Sequence, residues 1–140
     1  ARTMSGGGGG ALIYAAVARG NVVLCEYSST AGNHATVARK ILAKVPSTSD
    51  ARQAYAYDRH VFAYRVTSGT TFVCMCDESF PRRVAFAYLD DVERRWSQAY
   101  GARAQTALAH AMNADFAPVL QRRMGHFNNL PEADTISRVQ

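Results

Sequence analysis

A chain of 140 residues fits one domain and is long enough to bury a core. Hydrophobic residues make up 48% and charged residues 19%, ordinary proportions for a globular interior, and no run of about 18 apolar residues spans a bilayer. The net charge of +5 is spread over local pairs, Arg82-Arg83, Arg94-Arg95 and Arg122-Arg123. That pattern reads as a solvated surface and not as a nucleic-acid track. No basic-then-apolar leader pattern opens the chain. Cys25, Cys74 and Cys76 are odd in number and sit in apolar runs, which predicts reduced core residues and not a disulfide framework.

Residues 1–10 are small and glycine-rich, with glycine at every position from Gly6 to Gly10. Such a segment cannot offset its ordering entropy and is expected to be flexible. Ala1-Arg2-Thr3 reads as an added remnant ahead of a native start at Met4. The glycines are not a phosphate loop, because no Lys-Ser/Thr follows and no strand precedes them. Leu12–Arg19 and Val22–Tyr27 are apolar runs separated by Gly20-Asn21, a hairpin signal. His34–Val45 has a helical pattern, with Asn33 as the expected N-cap and Pro46 as the stop. Tyr55 and Tyr57 alternate with small residues, and Val61–Val66 and Thr71–Cys76 flank a turn at Ser68-Gly69. In Thr71–Cys76 both alternate sets are apolar: Phe72, Cys74 and Cys76 on one side, Val73 and Met75 on the other. A strand apolar on both faces is covered on both faces, so helices belong on each side of the sheet.

The second half reads as helical. Ser79 is the expected cap of a helix opening at Pro81, with Ala85, Tyr88, Leu89, Val92 and Trp96 on its buried stripe and Asp90, Asp91 and Arg94 off it. Gly101 ends this helix, and the Ala-rich stretch from Arg103 to Met112 has no assigned structure. Pro118 must lie near a helix start, so Asn113 or Asp115 caps a last helix that runs to about His126, burying Phe116, Val119, Leu120 and Met124.

Little in this pattern carries chemistry. His34, His60, His110 and His126 are scattered, and none has metal-ligand spacing to a second His or to a Cys-x-x-Cys. Cys74-x-Cys76 lacks a third ligand, and core packing accounts for it. Asp77-Glu78 and Asp90-Asp91 read as a strand-end loop and an exposed helix face, not a catalytic cleft. No Gly-x-Ser-x-Gly is present. Tyr55, Tyr57 and Tyr64 suit a nucleic-acid stacking platform, but tyrosine is equally an ordinary strand residue. No enzyme activity, cofactor, metal or nucleic-acid partner is therefore expected.

Several segments resemble one family in order along the chain. Tyr14-Ala-Ala-Val-Ala-Arg-Gly20 resembles the opening strand and turn of longin domains, and Ile41-Leu-Ala-Lys-Val-Pro46 the end of their first helix. Cys76-Asp-Glu-Ser-Phe80 followed by Ala85-Phe-Ala-Tyr-Leu89 is similar to their strand-to-helix passage. Tyr100-Gly-Ala-Arg-Ala-Gln-Thr-Ala-Leu108, with Ala111-Met-Asn113 and Phe116, resembles the longin domains of vesicle-associated membrane proteins of the endolysosomal and plasma-membrane type.

The resemblance implies an α+β, profilin-like longin fold: a five-stranded antiparallel sheet in the order β-β-α-β-β-β-α-α, with one helix on one face and two on the other. It implies a longin domain over residues 11–127, then a linker and the start of a SNARE motif over residues 128–140. Asp134-Thr-Ile-Ser-Arg-Val-Gln140 resembles the first turns of that motif, whose central arginine layer and following C-terminal membrane anchor would lie further on. The implied role is regulation of SNARE complex assembly and sorting in vesicle transport and fusion, at the cytoplasmic face of vesicle, endosomal or plasma membranes. The implied partners are the protein's own SNARE motif in a closed form, partner SNAREs through that motif, and trafficking adaptors or regulators. By position, the partner groove uses Val37, Ile41 and Val45 of the helix with Gln53, Tyr55 and Tyr57 of the edge strand. Gln53 stands where the family tends to be apolar, the loop from Ser47 to Arg52 is one residue longer, and Ala109-His110 replaces a usual proline. A prenylated SNARE or an adaptor subunit with a longin-like domain, or a small enzyme on a profilin-like scaffold, is the alternative reading.

Overall fold

A computed structural model of the chain describes residues 10–46, 49–101 and 106–130. The expectations for the glycine-rich start and for a SNARE motif from Asp134 to Gln140 fall outside those residues.

Strand β1 (Leu12–Arg19) and strand β2 (Val22–Ser28) form the first hairpin, where Gly20 takes a φ of 61° that a side chain would resist. Helix α1 (His34–Leu42) follows, then strands β3 (Ala51–Tyr57), β4 (His60–Thr67) and β5 (Thr70–Asp77). Two-residue turns join these three strands, one with Asp58 and Arg59 at positive φ, the other with Ser68 and Gly69, the conformation that matches strand twist. Helices α2 (Arg82–Tyr100) and α3 (Asn113–Asn128) complete the chain. The sheet order is β2-β1-β5-β4-β3, and every neighbouring pair is antiparallel.

The two-sided reading of β5 holds. Phe72, Cys74 and Cys76 join the cluster under α2 and α3, together with Leu89, Trp96, Phe116 and Leu120. Val73 and Met75 join the cluster under α1, with Phe62, Tyr64, Val37 and Leu42. Trp96 is 2% exposed. Its ring meets Phe116 edge-on at 5.0 Å, so one aromatic contact joins the two helices. The Tyr88 hydroxyl donates to the Leu120 carbonyl at 3.0 Å, and Asn128 both accepts from and donates to the Leu12 backbone, which fastens the end of α3 to β1.

Helix ends differ from the sequence expectation in instructive ways. Regular α1 stops at Leu42 and not Val45, because Lys44 and Val45 close tighter turns onto Ile41 and Leu42. Asn33 and Ser79 make no side-chain cap; the Ser79 hydroxyl is taken by Asp77 at 2.6 Å. Pro81 precedes α2 in an extended conformation, as a residue barred from donating can. Pro118 lies inside α3, past the first turn, so the Ala114 carbonyl forgoes its usual partner.

Asp91 is the clearest correction. It is not on an exposed face: it is 4% exposed and accepts from Arg94 at 2.8 Å, Arg95 at 3.1 Å and Arg123 at 2.8 Å. Burial pushes its carboxyl pKa up, but the Arg123 and Arg95 guanidiniums outweigh that and hold it below the usual carboxylate range.

Candidate partner-binding groove

A five-stranded open sheet has two edges, and each offers unpaired backbone groups unless something covers it. The β2 edge is covered. A bulge lets Ala18 pair with Val23 and Val17 with Cys25, leaving Leu24 over. The carbonyls of Val23 and Leu24 then accept from the amides of His110 at 2.8 Å and Met112 at 3.2 Å. Two residues further along the strand, the Glu26 amide donates to the Asn113 side chain at 3.0 Å. The Glu26 carboxylate locks this clamp, accepting from the Tyr14 hydroxyl at 2.6 Å, His110 at 2.9 Å and Arg39 at 3.3 Å. Burial opposes ionisation of Glu26, but these donors win and its pKa is lowered.

The β3 edge is open. Its inner side pairs fully with β4, and among the described residues no backbone hydrogen bond closes its outer side. The register puts Gln53, Tyr55 and Tyr57 beside Tyr64, Phe62 and His60. Tyr64 and Phe62 belong to the α1-side cluster, so the three β3 residues form a row on the α1 face. The Tyr55 ring lies 5.9 Å from Tyr64 and the Tyr57 ring 6.3 Å from Phe62. Burial and the hydrogen bond with Tyr55 raise the Tyr64 phenol pKa. Tyr55 and Tyr57 are nonetheless 48% and 51% exposed, and Gln53 is exposed beside them.

Helix α1 supplies the other wall. Ile41 and Val45 are half-buried and pack against the same cluster as Phe62 and Tyr64. Val37 is 6% exposed and shares the core with Ala38 and Leu42, so it supports the wall from beneath. Exposed Arg39, Lys40 and Lys44 flank it, and the helix holds no acidic residue. Strand β3 is tied down from its other face: the Arg52 guanidinium lies 4.6 Å from the Phe86 ring and 3.7 Å from Asp90. Gln53, Tyr55 and Tyr57 thus share the α1 face of the sheet, Ile41 and Val45 pack at the margin of the core on that face, and Val37 lies within it. Sequence reasoning missed the clamp at Glu26, His110 and Asn113, since nothing in local spacing links residues so far apart.

Backbone donors and acceptors along β3 suit an added strand, and the aromatic row with Ile41 and Val45 suits apolar side chains. Among the described residues no group of three or more His, Cys, Asp and Glu could hold a metal ion, and no described helix is long and apolar enough to cross a membrane.

Known proteins share this plan. The Longin family profile, described as a regulated-SNARE-like domain, matches residues 24–120. Vesicle-associated membrane protein 711 of Arabidopsis thaliana is 44% identical over 130 residues, 93% of this chain and 59% of that protein. Vesicle-associated membrane protein 7B of Dictyostelium discoideum is 43% identical over 91% of this chain and 48% of its own length. Vesicle-associated membrane protein 7 of Homo sapiens is 34% identical over 93% and 59%. The chain thus spans about half to three-fifths of the curated relatives it matches. With the sheet order, the helix placement and the family match in agreement, the chain belongs to the longin family of regulated-SNARE-like domains.

Proposed function

We propose that this chain is the regulatory domain of a vesicle SNARE, and that its α1–β3 groove binds the protein's own downstream SNARE motif in a closed form. In that form the motif is withheld from partner SNAREs, and trafficking adaptors or regulators compete for the same groove. The protein then acts at the cytoplasmic face of vesicle, endosomal or plasma membranes, held there by an anchor beyond the motif. It works by binding and not by turnover. The observation that carries this reading is the asymmetry of the sheet edges: β2 is sealed by the 110–113 segment, while β3 is open beside an exposed aromatic row.

A short linker raises the effective concentration of the motif to the millimolar range, so little intrinsic affinity is needed. A gap of about 1.4 kcal/mol between closed and open forms is only a tenfold bias, which makes the switch sensitive to small changes. Gln53 sits in the strip as a polar residue, so Gln53→Leu strengthens closure. The test is the rate of SNARE complex assembly by the cytosolic protein carrying its motif. Tyr55→Ser with Ile41→Ser, in a domain still folded by circular dichroism, speeds assembly. Equal rates in both proteins, or no added amide-exchange protection across Gln53–Tyr57 when the motif is attached, rule the closed form out.

A further inference from the structure

The face of the molecule opposite the groove carries a second feature. Helices α2 and α3 contain Arg82, Arg83, Arg94, Arg95, Arg122 and Arg123, and no lysine. Their acidic residues do little to balance these outward. Asp90 and Glu93 turn toward the sheet and pair with Arg65. Asp91 is sunk between Arg94, Arg95 and Arg123, so one anion faces three cations, and each guanidinium keeps further donors for solvent. Arg94 stays 61% exposed. Asp115 is the exposed carboxylate on α3, at the rim of one of two hollows described next.

A hollow lies at each end of the seam between the helices. One, of about 260 Å³, has Val84, Ala87, Phe127 and Leu130 in its lining, with Arg83 and His126 beside them. The other, of about 330 Å³, is lined by Ala99, Tyr100, Phe116 and Val119, with Arg95 and Arg122 beside them. The Asp91 cluster lies between. From Ala87 to Ala99 the helical rise is about 18 Å, a little over three turns.

We propose that this seam docks an acidic amphipathic helix of a partner protein. Two apolar side chains about three turns apart fill the two hollows, and carboxylates between them pair with Arg94, Arg122 and Arg123. Charge complementarity selects the occupant, and the choice of arginine throughout suits bidentate carboxylate pairing. A bilayer surface would engage the arginine tips but leave the two hollows, the first of them mainly apolar, unfilled. The site is independent of the α1–β3 groove.

The probe is a synthetic helix of about five turns, with leucines about three turns apart and glutamates on the same face between them. Its effect is read by amide chemical shifts of the domain and by fluorescence anisotropy. Shifts concentrate on α2 and α3, binding weakens with salt, and a peptide with lysine for glutamate does not bind. Arg94→Ser with Arg122→Glu weakens binding roughly tenfold or more. Ala87→Glu, at an exposed position that fills the first hollow with charge, does the same. Shifts at the α1–β3 groove, no shifts at all, or equal binding of the lysine peptide overturn the proposal. So does binding to phosphatidylserine-containing vesicles that the arginine variant abolishes while the peptide fails to bind, which makes the face a membrane surface instead.

Discussion

Replacing Asp91 by asparagine tests what holds α2 to α3. The carboxylate is buried and accepts from three arginines, but those bonds are unequal. Arg94 and Arg95 are 61% and 41% exposed and sit three and four residues along the same helix. Water screens such pairs, and each contributes roughly 0.3–0.5 kcal/mol. Arg123 is 23% exposed and comes from the other helix at 2.8 Å. A charge-assisted bond to a buried carboxylate of this kind is worth about 1.5–3 kcal/mol. The asparagine keeps the shape and one acceptor but removes the charge, leaving three guanidiniums to repel each other. The expected loss is about 2–3 kcal/mol, or roughly 8–12 °C in Tm for a domain of this size. Urea titrations followed by circular dichroism and Trp96 fluorescence measure it. Asp90→Asn is the control: its carboxylate is 41% exposed and pairs with Arg65 and Arg52 at the sheet margin, so the loss stays below about 1 kcal/mol. If Asp91→Asn costs no more than Asp90→Asn, burial is not what gives the Asp91 cluster its strength.

Other consequences are as direct. Trp96→Ala, read by circular dichroism, costs roughly 3–5 kcal/mol, because it empties the space between Phe116 and Tyr100; a loss under about 1 kcal/mol contradicts the packing. Asp91 and Glu26 both have lowered folded-state pKa values, so their stabilisation is present above the unfolded carboxylate range near about 4 and is lost as pH falls through the folded values. The urea midpoint is therefore expected to fall on acidification below about pH 4, with the fall blunted in Glu26→Gln with Asp91→Asn; an equally steep fall in the double variant assigns the acid limb to other groups. Burial pushes the Cys25 and Cys76 thiols up to about 12 and also raises Cys74 well above the usual thiol range, so a thiol reagent at neutral pH labels these cysteines only as fast as the protein opens. Prompt labelling of the native protein contradicts their burial.

What could be read from the sequence was whatever local pattern encodes. The double-sided β5 strand announced helices on both faces because each residue's side alternates, and both apolar sets found their clusters. Tyr55 and Tyr57 were legible through the same alternation, whereas Gln53 joined them only through the family resemblance. How deeply each residue of α1 is buried was not legible, since Val37 and Ile41 lie four positions apart on one stripe; the packing buries Val37 and leaves Ile41 at the margin. Asp91 was misjudged because a carboxylate off the apolar stripe normally faces water. The local hint was present in Arg94 and Arg95 at three and four residues, but the decisive partner, Arg123, is 32 positions away. The clamp on β2 was invisible for the same reason, with Glu26 and His110 separated by 84 positions.

The two edges of the sheet are protected in different ways. An open edge is a hazard, because any extended chain can pair with it. Here β2 is removed from that risk by three contacts from one segment, at Val23, Leu24 and Glu26. Strand β3 cannot be sealed in this way if it is to accept a partner. It instead carries positive charge, at Arg52 within the strand and Arg59 in the turn after it, a device that discourages indiscriminate strand addition. Arg52 also fastens β3 from behind, through Phe86 and Asp90 on α2. Strand β3 is thereby backed by α2, which the Asp91 cluster in turn holds to α3. The cation that guards the edge thus also ties it to the helices behind the sheet.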